Sequence, residues 1–203
     1  MKRISFVLIA LLLAAGVAFA QTKEARDRLD KARRELHQRS PNVQRAEKYI
    51  QDSLKVSPDY LDAQQALADL YYMEHRYDAA ATEYKKAKVL DDAQKKLSRE
   101  DRNLLLDQLG LAQAQSRHLD EAIATYKAAV AEDPEYALFE YNLACGYAEK
   151  GDLESAIPHL KRSWELKGSL PRGTQLPDPR KDDSFKRFWN DERFKEAVMN
   201  MVI

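Results

Sequence analysis

The side chains able to do chemistry in this chain are few and scattered. His37, His75, His118 and His159 could each ligate a metal or carry a proton, and Cys145 is the only thiol among 203 residues. Metal capture needs such ligands at spacings that return them to one turn or one helix face. The four histidines instead lie 38, 43 and 41 residues apart, with no second cysteine to join them. There is no glycine-rich phosphate loop, no HExxH pair and no acidic calcium loop. Hydrolysis by a Ser or Cys nucleophile needs a base placed beside it, and the sequence shows no such neighbour. It therefore points to no catalytic residue, no metal site and no cofactor, and so to a protein that is not an enzyme. Cys145, inside YNLACGYAEKGDLESAI, is either a small inert residue shielded by its neighbours or a thiol able to pair with a partner.

Charge narrows the classes further. Lys and Arg number 33 and so do Asp and Glu, which leaves no global field to draw in nucleic acid. Basic residues such as Lys85, Lys86, Lys95 and Lys96 are interleaved with acids rather than with base-stacking aromatics. Residues 1–20, MKRISFVLIALLLAAGVAFA, form a different segment: Lys2 and Arg3 precede an apolar run that ends in small residues. This is the pattern of a secretory signal peptide, with cleavage expected between Ala20 and Gln21. Its removal would leave 31 basic against 33 acidic groups and no membrane span. The expected location is periplasmic or secreted. A lone cysteine cannot form an internal disulfide there, so stability has to come from packing.

The elements that must position anything in this chain recur with a period of 34 residues, set by Leu109 and Leu143, Ala122 and Ala156, and Ala46 and Ala80. Tyr84 and Tyr126 are 42 apart, one period plus eight, and the extra residues are expected within Asp91–Glu100. Scarce glycine favours helices over loops or barrels. Alanine or glycine lets two helices approach closely, and a large residue fills the space beside it. One such repeat cannot bury its apolar face alone, so several must stack.

ADLYYMEHRYDAAATEYKKA, LGLAQAQSRHLDEAIATYKAAVAEDP and NLACGYAEKGDLESAIPHL resemble the tetratricopeptide repeat (TPR). The matching positions are Leu67, Ala68 and Tyr71 in one copy and Leu143, Ala144 and Tyr147 in another, with Leu109 and Gly110 between them. Ala80, Ala122 and Ala156 match the small residue of the second helix, and Pro58 and Pro134 the proline that often ends a unit; Asp92 and Gly168 stand there in the other copies. The resemblance implies an all-α, right-handed superhelical solenoid of about four TPR-like helix pairs with short capping helices. Tyr71, Tyr84, Tyr126 and Tyr147 would be core.

The same resemblance implies a concave groove, lined by the first helix of each pair, that holds a peptide segment or helix of another protein. In this register the groove residues are Gln65, Asp69, Tyr72 and Met73, then Asp107, Gln108 and Leu111, then Leu138, Tyr141, Asn142 and Cys145. They include no Lys or Arg cluster to clamp a terminal carboxylate and suit an apolar or aromatic-bearing segment better. The chain's own tail or leading helix could fill part of that groove.

At the N-terminal side, Ala25, Leu29, Ala32 and Leu36 share one helix face, and Ser40 with Pro41 reads as the cap and first turn of the next helix. At the other end GSLPRGTQLPDPRK is a loop, followed by DDSFKRFWNDERFKEAVMNMVI, where Phe185, Phe188 and Trp189 share one helical face and Phe194, Ala197, Val198 and Met201 another. The expected organisation is signal peptide 1–20, repeat array 21–170, loop 171–181 and C-terminal capping helices 182–203. The function expected is an exported non-catalytic scaffold for protein–protein interaction, without nucleic acid. The alternative is a self-assembling structural component of the cell envelope, in which copies of the chain form a homo-oligomer.

Overall fold

The structure, a computed structural model, describes residues 22–170, 173–199 and 201. The expected signal peptide and its cleavage point lie outside the described residues. Every regular element among the described residues is helical. The principal helices are α1 (residues 22–36), α2 (Val43–Val56), α3 (Leu61–Met73), α4 (Tyr77–Gln94), α5 (Arg99–Gln115), α6 (Leu119–Glu132), α7 (Ala137–Lys150), α8 (Leu153–Glu165) and α9 (Glu192–Val198). They form the all-α, helical-repeat class expected from the sequence. The chain divides into two compact units, Met1–Gln94 and Lys95–Ile203.

In the first unit α1 pairs with α2 and α3 with α4. Ala25, Leu29 and Ala32 are fully buried, and the Ser53 hydroxyl donates to the Ala25 carbonyl at 2.6 Å. The cap of α2 differs from expectation. Asn42, not Ser40, is the N-cap, and its side chain accepts from the Arg45 amide at 2.8 Å. Ser40 and Pro41 lie before the helix.

In the second unit α5 pairs with α6 and α7 with α8. The alanines at the close crossings, Ala80, Ala122 and Ala156, are at most 1% exposed, and the large residues four positions on, Tyr84, Tyr126 and Leu160, at most 2%. Gly110 shows why one copy has glycine: a Cβ there would overlap the Tyr126 ring, whose hydroxyl donates to the Asp107 carbonyl at 3.1 Å. Tyr147 departs from the expected core role. It is only half-buried, stacked on His159 at 5.6 Å with Lys127 over its ring.

The turn inside each of the last three pairs closes in the same way. Arg76, His118 and Asp152 donate backbone N–H to Tyr71, Gln113 and Tyr147 carbonyls at 2.8, 2.9 and 2.9 Å. The residue before each of them, His75, Arg117 and Gly151, is left-handed, with φ of 58°, 67° and 87°. This six-to-one closure satisfies carbonyls that a helix end would otherwise leave bare. Asp152 then caps α8, accepting from the Ser155 amide at 3.0 Å.

The eight extra residues between the two central repeats are divided equally. α4 continues to Gln94, four residues further past Ala80 than α6 runs past Ala122. α5 starts at Arg99, four residues earlier before Leu109 than α7 starts before Leu143. Each helix thus gains about one turn. Asp92 lies inside α4 and does not end it, contrary to the sequence expectation. The added turn of α5 is held by Asp133, whose carboxylate accepts two Arg99 hydrogen bonds at 2.7 Å and one from Asn103 at 2.6 Å. Those bonds, Arg99 foremost, hold the Asp133 carboxyl down at about 2.

The tail contains less regular helix than its apolar spacing suggests. Asp183–Phe188 is a 3-10 segment capped by Asp182, which accepts from the Ser184 amide at 2.9 Å. Of the expected apolar trio only Phe185 is fully buried; Phe188 and Trp189 are half-buried. Phe185, Phe194, Val198 and Met201 join Tyr141, Ala144, Leu160 and Leu176 in one core cluster, with Trp164 and Trp189 packed at its edge.

Candidate partner-binding faces

The face of α3 in the first unit is open. Met73 is 70% exposed, and Gln65, Asp69 and Tyr72 beside it are half-buried. Tyr72 meets Tyr77 edge-on, with ring centroids 5.3 Å apart. His75, also exposed, hydrogen-bonds Tyr77 through Nδ1 at 2.6 Å. Asp69 accepts from the Tyr84 hydroxyl at 2.7 Å, and burial raises its carboxyl pKa despite that bond. An exposed, unbranched thioether can adapt its shape to apolar and aromatic side chains.

In the second unit the expected groove residues separate into two sets. Gln108, Leu111, Leu138, Asn142 and Cys145 are half-buried, whereas Asp107 and Tyr141 are 9% and 2% exposed, so neither presents the open surface expected of it. Asp107 is drawn inward to Asn142, whose amide donates to its carboxylate at 2.5 Å. Burial pushes the Asp107 carboxyl up to about 6, and the Asn142 bond offsets only part of that. Tyr141 is covered by the tail: its hydroxyl donates to Asp182 Oδ2 at 2.8 Å, and its ring meets Phe185 edge-on at 6.2 Å.

Cys145 lies one turn beyond Tyr141 and shares its partner, with the thiol 3.8 Å from Asp182 Oδ2. Burial, and then the Asp182 charge, raise the thiol well above its ordinary value. A thiol held protonated beside a carboxylate is a poor nucleophile. One further turn along, Glu149 accepts from the Ser184 hydroxyl at 3.2 Å. Asp182, Ser184, Phe185 and Glu149 were absent from the sequence-based site. The spacing of Tyr141, Cys145 and Glu149 marks one helix face, but nothing local in the sequence assigns the tail to it.

Each histidine has a local engagement. His37 pairs with the Arg33 carbonyl, His75 with Tyr77, His118 with Glu121 and His159 with Glu140. Among the described residues no three His, Cys, Asp or Glu side chains converge as metal ligands, and no helix is long and apolar enough to cross a membrane.

Repeated helix pairs closed by the same turn, with a small residue seated under a large one, define a helical-repeat protein. The tetratricopeptide repeat signature matches residues 29–95 and 108–166, and the chain belongs to that family. Among solved structures, MamA MSR-1 is similar at 25% identity and a TM-score of 0.52, over 63% of this chain and 68% of that chain. A structure of MamA AMB-1 aligns at 27% identity and a TM-score of 0.51, covering 61% and 68%. A further crystal structure of MamA shares the fold over 77% and 82%, at 20% identity and a TM-score of 0.59. No curated protein sequence matches.

Proposed function

We propose that this chain is an exported, non-catalytic scaffold that binds a peptide segment or helix of another protein through the first-helix faces of its repeats. The observation that carries the reading is Met73, open to solvent at the C-terminal end of the α3 face that also bears Gln65, Asp69 and Tyr72. Methionine and aromatic side chains such as Tyr72 are enriched where proteins recognise partners. Membership of the tetratricopeptide repeat family supports the reading, because such arrays bind partners along these faces. The signal-like composition of residues 1–20 supports export. The tail's packing into the last core cluster supports its role as a cap for the array.

Position-specific photocrosslinking in intact cells tests the interaction. A photoreactive residue at Met73 is expected to capture one recurrent protein, and the same residue at exposed Lys85 on α4 is not. Identical capture profiles from both positions would overturn the assignment of the face. Export is tested by sequencing the N-terminus of the accumulated protein: Gln21 is expected, and retention of residues 1–20 on a cytoplasmic product would refute it.

A further inference from the structure

The face of α7 is already occupied, and its occupant shows what it selects. Tyr141, Cys145 and Glu149 recur at four-residue spacing, so they form a single stripe on the helix. The 3-10 segment of the tail lies on this stripe. Asp182 accepts from the Tyr141 hydroxyl and the Cys145 thiol, the Ser184 hydroxyl donates to Glu149, and Phe185 is fully buried between the Tyr141 and Phe194 rings. We propose that this stripe is a recognition site for a segment bearing an aspartate and, three residues on, a phenylalanine, and that Asp182–Phe185 fills it in cis as a tethered competitor. The proposal rests on the reading of first-helix faces as partner-binding surfaces.

The chemistry is selective. Tyr141 and Cys145 offer two uncharged donors to one carboxylate oxygen, which a neutral or basic side chain would leave unsatisfied in a largely desolvated setting. The ring slot beside them accepts a flat side chain edge-on. At the position of Ser184, two residues after the aspartate, Glu149 disfavours an acid and accepts a hydroxyl donor, as it does from Ser184.

The hold on the tail is built to be exchanged. Asp182 has no ion pair among the described residues, so its seat depends on hydrogen bonds. Trp189, four residues after Phe185, buries its Nε1 donor with no acceptor among the described residues. Residues 173–181 ahead of the segment include no helix or strand. A tethered segment of this kind competes at an effective concentration of about millimolar, so only a partner of matching chemistry displaces it.

The probe is a labelled peptide of residues 182–191, DDSFKRFWND, added to the full chain and followed by fluorescence anisotropy. Cys145, the only thiol, reports opening of the stripe through its alkylation by N-ethylmaleimide, read by intact mass. A chain carrying Asp182→Ala and Phe185→Ala in its own tail is expected to alkylate at least about tenfold faster than the natural chain and to bind the peptide about tenfold tighter. The bound peptide should then protect Cys145 again, and a peptide with the same two substitutions should not. A vacated chain whose thiol reacts rapidly but which ignores the peptide overturns the proposal, as does equal binding to both chains. If the double variant fails to fold by circular dichroism, Tyr141→Phe removes a single hydrogen bond; it should speed alkylation several-fold, and an unchanged rate counts against the proposal. Partner capture at Met73 without peptide binding at α7 refutes this inference alone and leaves the wider function standing.

Discussion

Single atoms decide the sharpest consequences of this fold. Gly110 leaves the space that Tyr126 fills, and the equivalent pair in the last repeat is Ala144 with Leu160. Gly110→Ala should therefore force the ring aside, break its hydrogen bond to Asp107 and cost roughly 1 to 3 kcal/mol in chemical denaturation. Adding Tyr126→Leu should recover part of that loss, and equal melting of single and double variants would show that the two positions do not share one space. Asp107 makes the opposite kind of prediction. Its carboxyl titrates near 6 in the folded chain because burial disfavours the charge, while an unfolded aspartate titrates near 3.9. Between those values the folded state holds more protons, so this group's contribution to stability falls as pH rises from about 4 to 6. Asp107→Asn should therefore stabilise the chain at neutral pH and lose that advantage at pH 4, measured by denaturation at both. The sequence disclosed which residues pack, because Ala122 and Tyr126 repeat with the period. It did not disclose that Asp107 and Tyr141 turn inward, since that follows from Asn142 and Asp182, which lie 35 and 41 residues away from them.

At the scale of the element, three turns share one hydrogen-bond scheme but not one residue. The left-handed position is Gly151 in the last pair and His75 or Arg117 in the earlier two. A left-handed backbone costs a side-chain-bearing residue about 1 to 2 kcal/mol, and glycine returns some 0.5 to 1 as lost chain entropy. Arg117→Gly should therefore raise stability by up to about 1 kcal/mol, and a lower melting temperature would mean that the Arg117 side chain contributes contacts exceeding the strain. The helix pairs themselves were legible because small and large residues alternate at fixed spacing. The division of the eight extra residues was not. One turn is added to α4 and one to α5, and the bonds that hold the α5 turn come from Asp133, which lies 34 and 30 residues from its partners Arg99 and Asn103. The apolar spacing of the tail predicts regular helix. Asp182 and Asp191 instead cap two short segments, each accepting from the amide two residues on, and they interrupt any longer run.

For the whole molecule, family membership and the repeat period agree over most of the chain, while the first-helix faces of the two units have different surroundings. The α3 face of the first unit keeps Met73 in solvent, and the α7 face of the second is covered by its own tail. The two tryptophans, Trp164 and Trp189, both border the core that the tail completes, and both belong to the second unit. Tryptophan emission is consequently a local reporter. It reads the surroundings of the α7, α8 and tail core directly, whereas residues 22–94 of the first unit contain tyrosines and no tryptophan. A lesion such as Ala80→Leu should therefore be followed by tryptophan emission and far-UV circular dichroism together: coincident melting curves would mean that the two units unfold as one, and a tryptophan curve left unchanged that they do not.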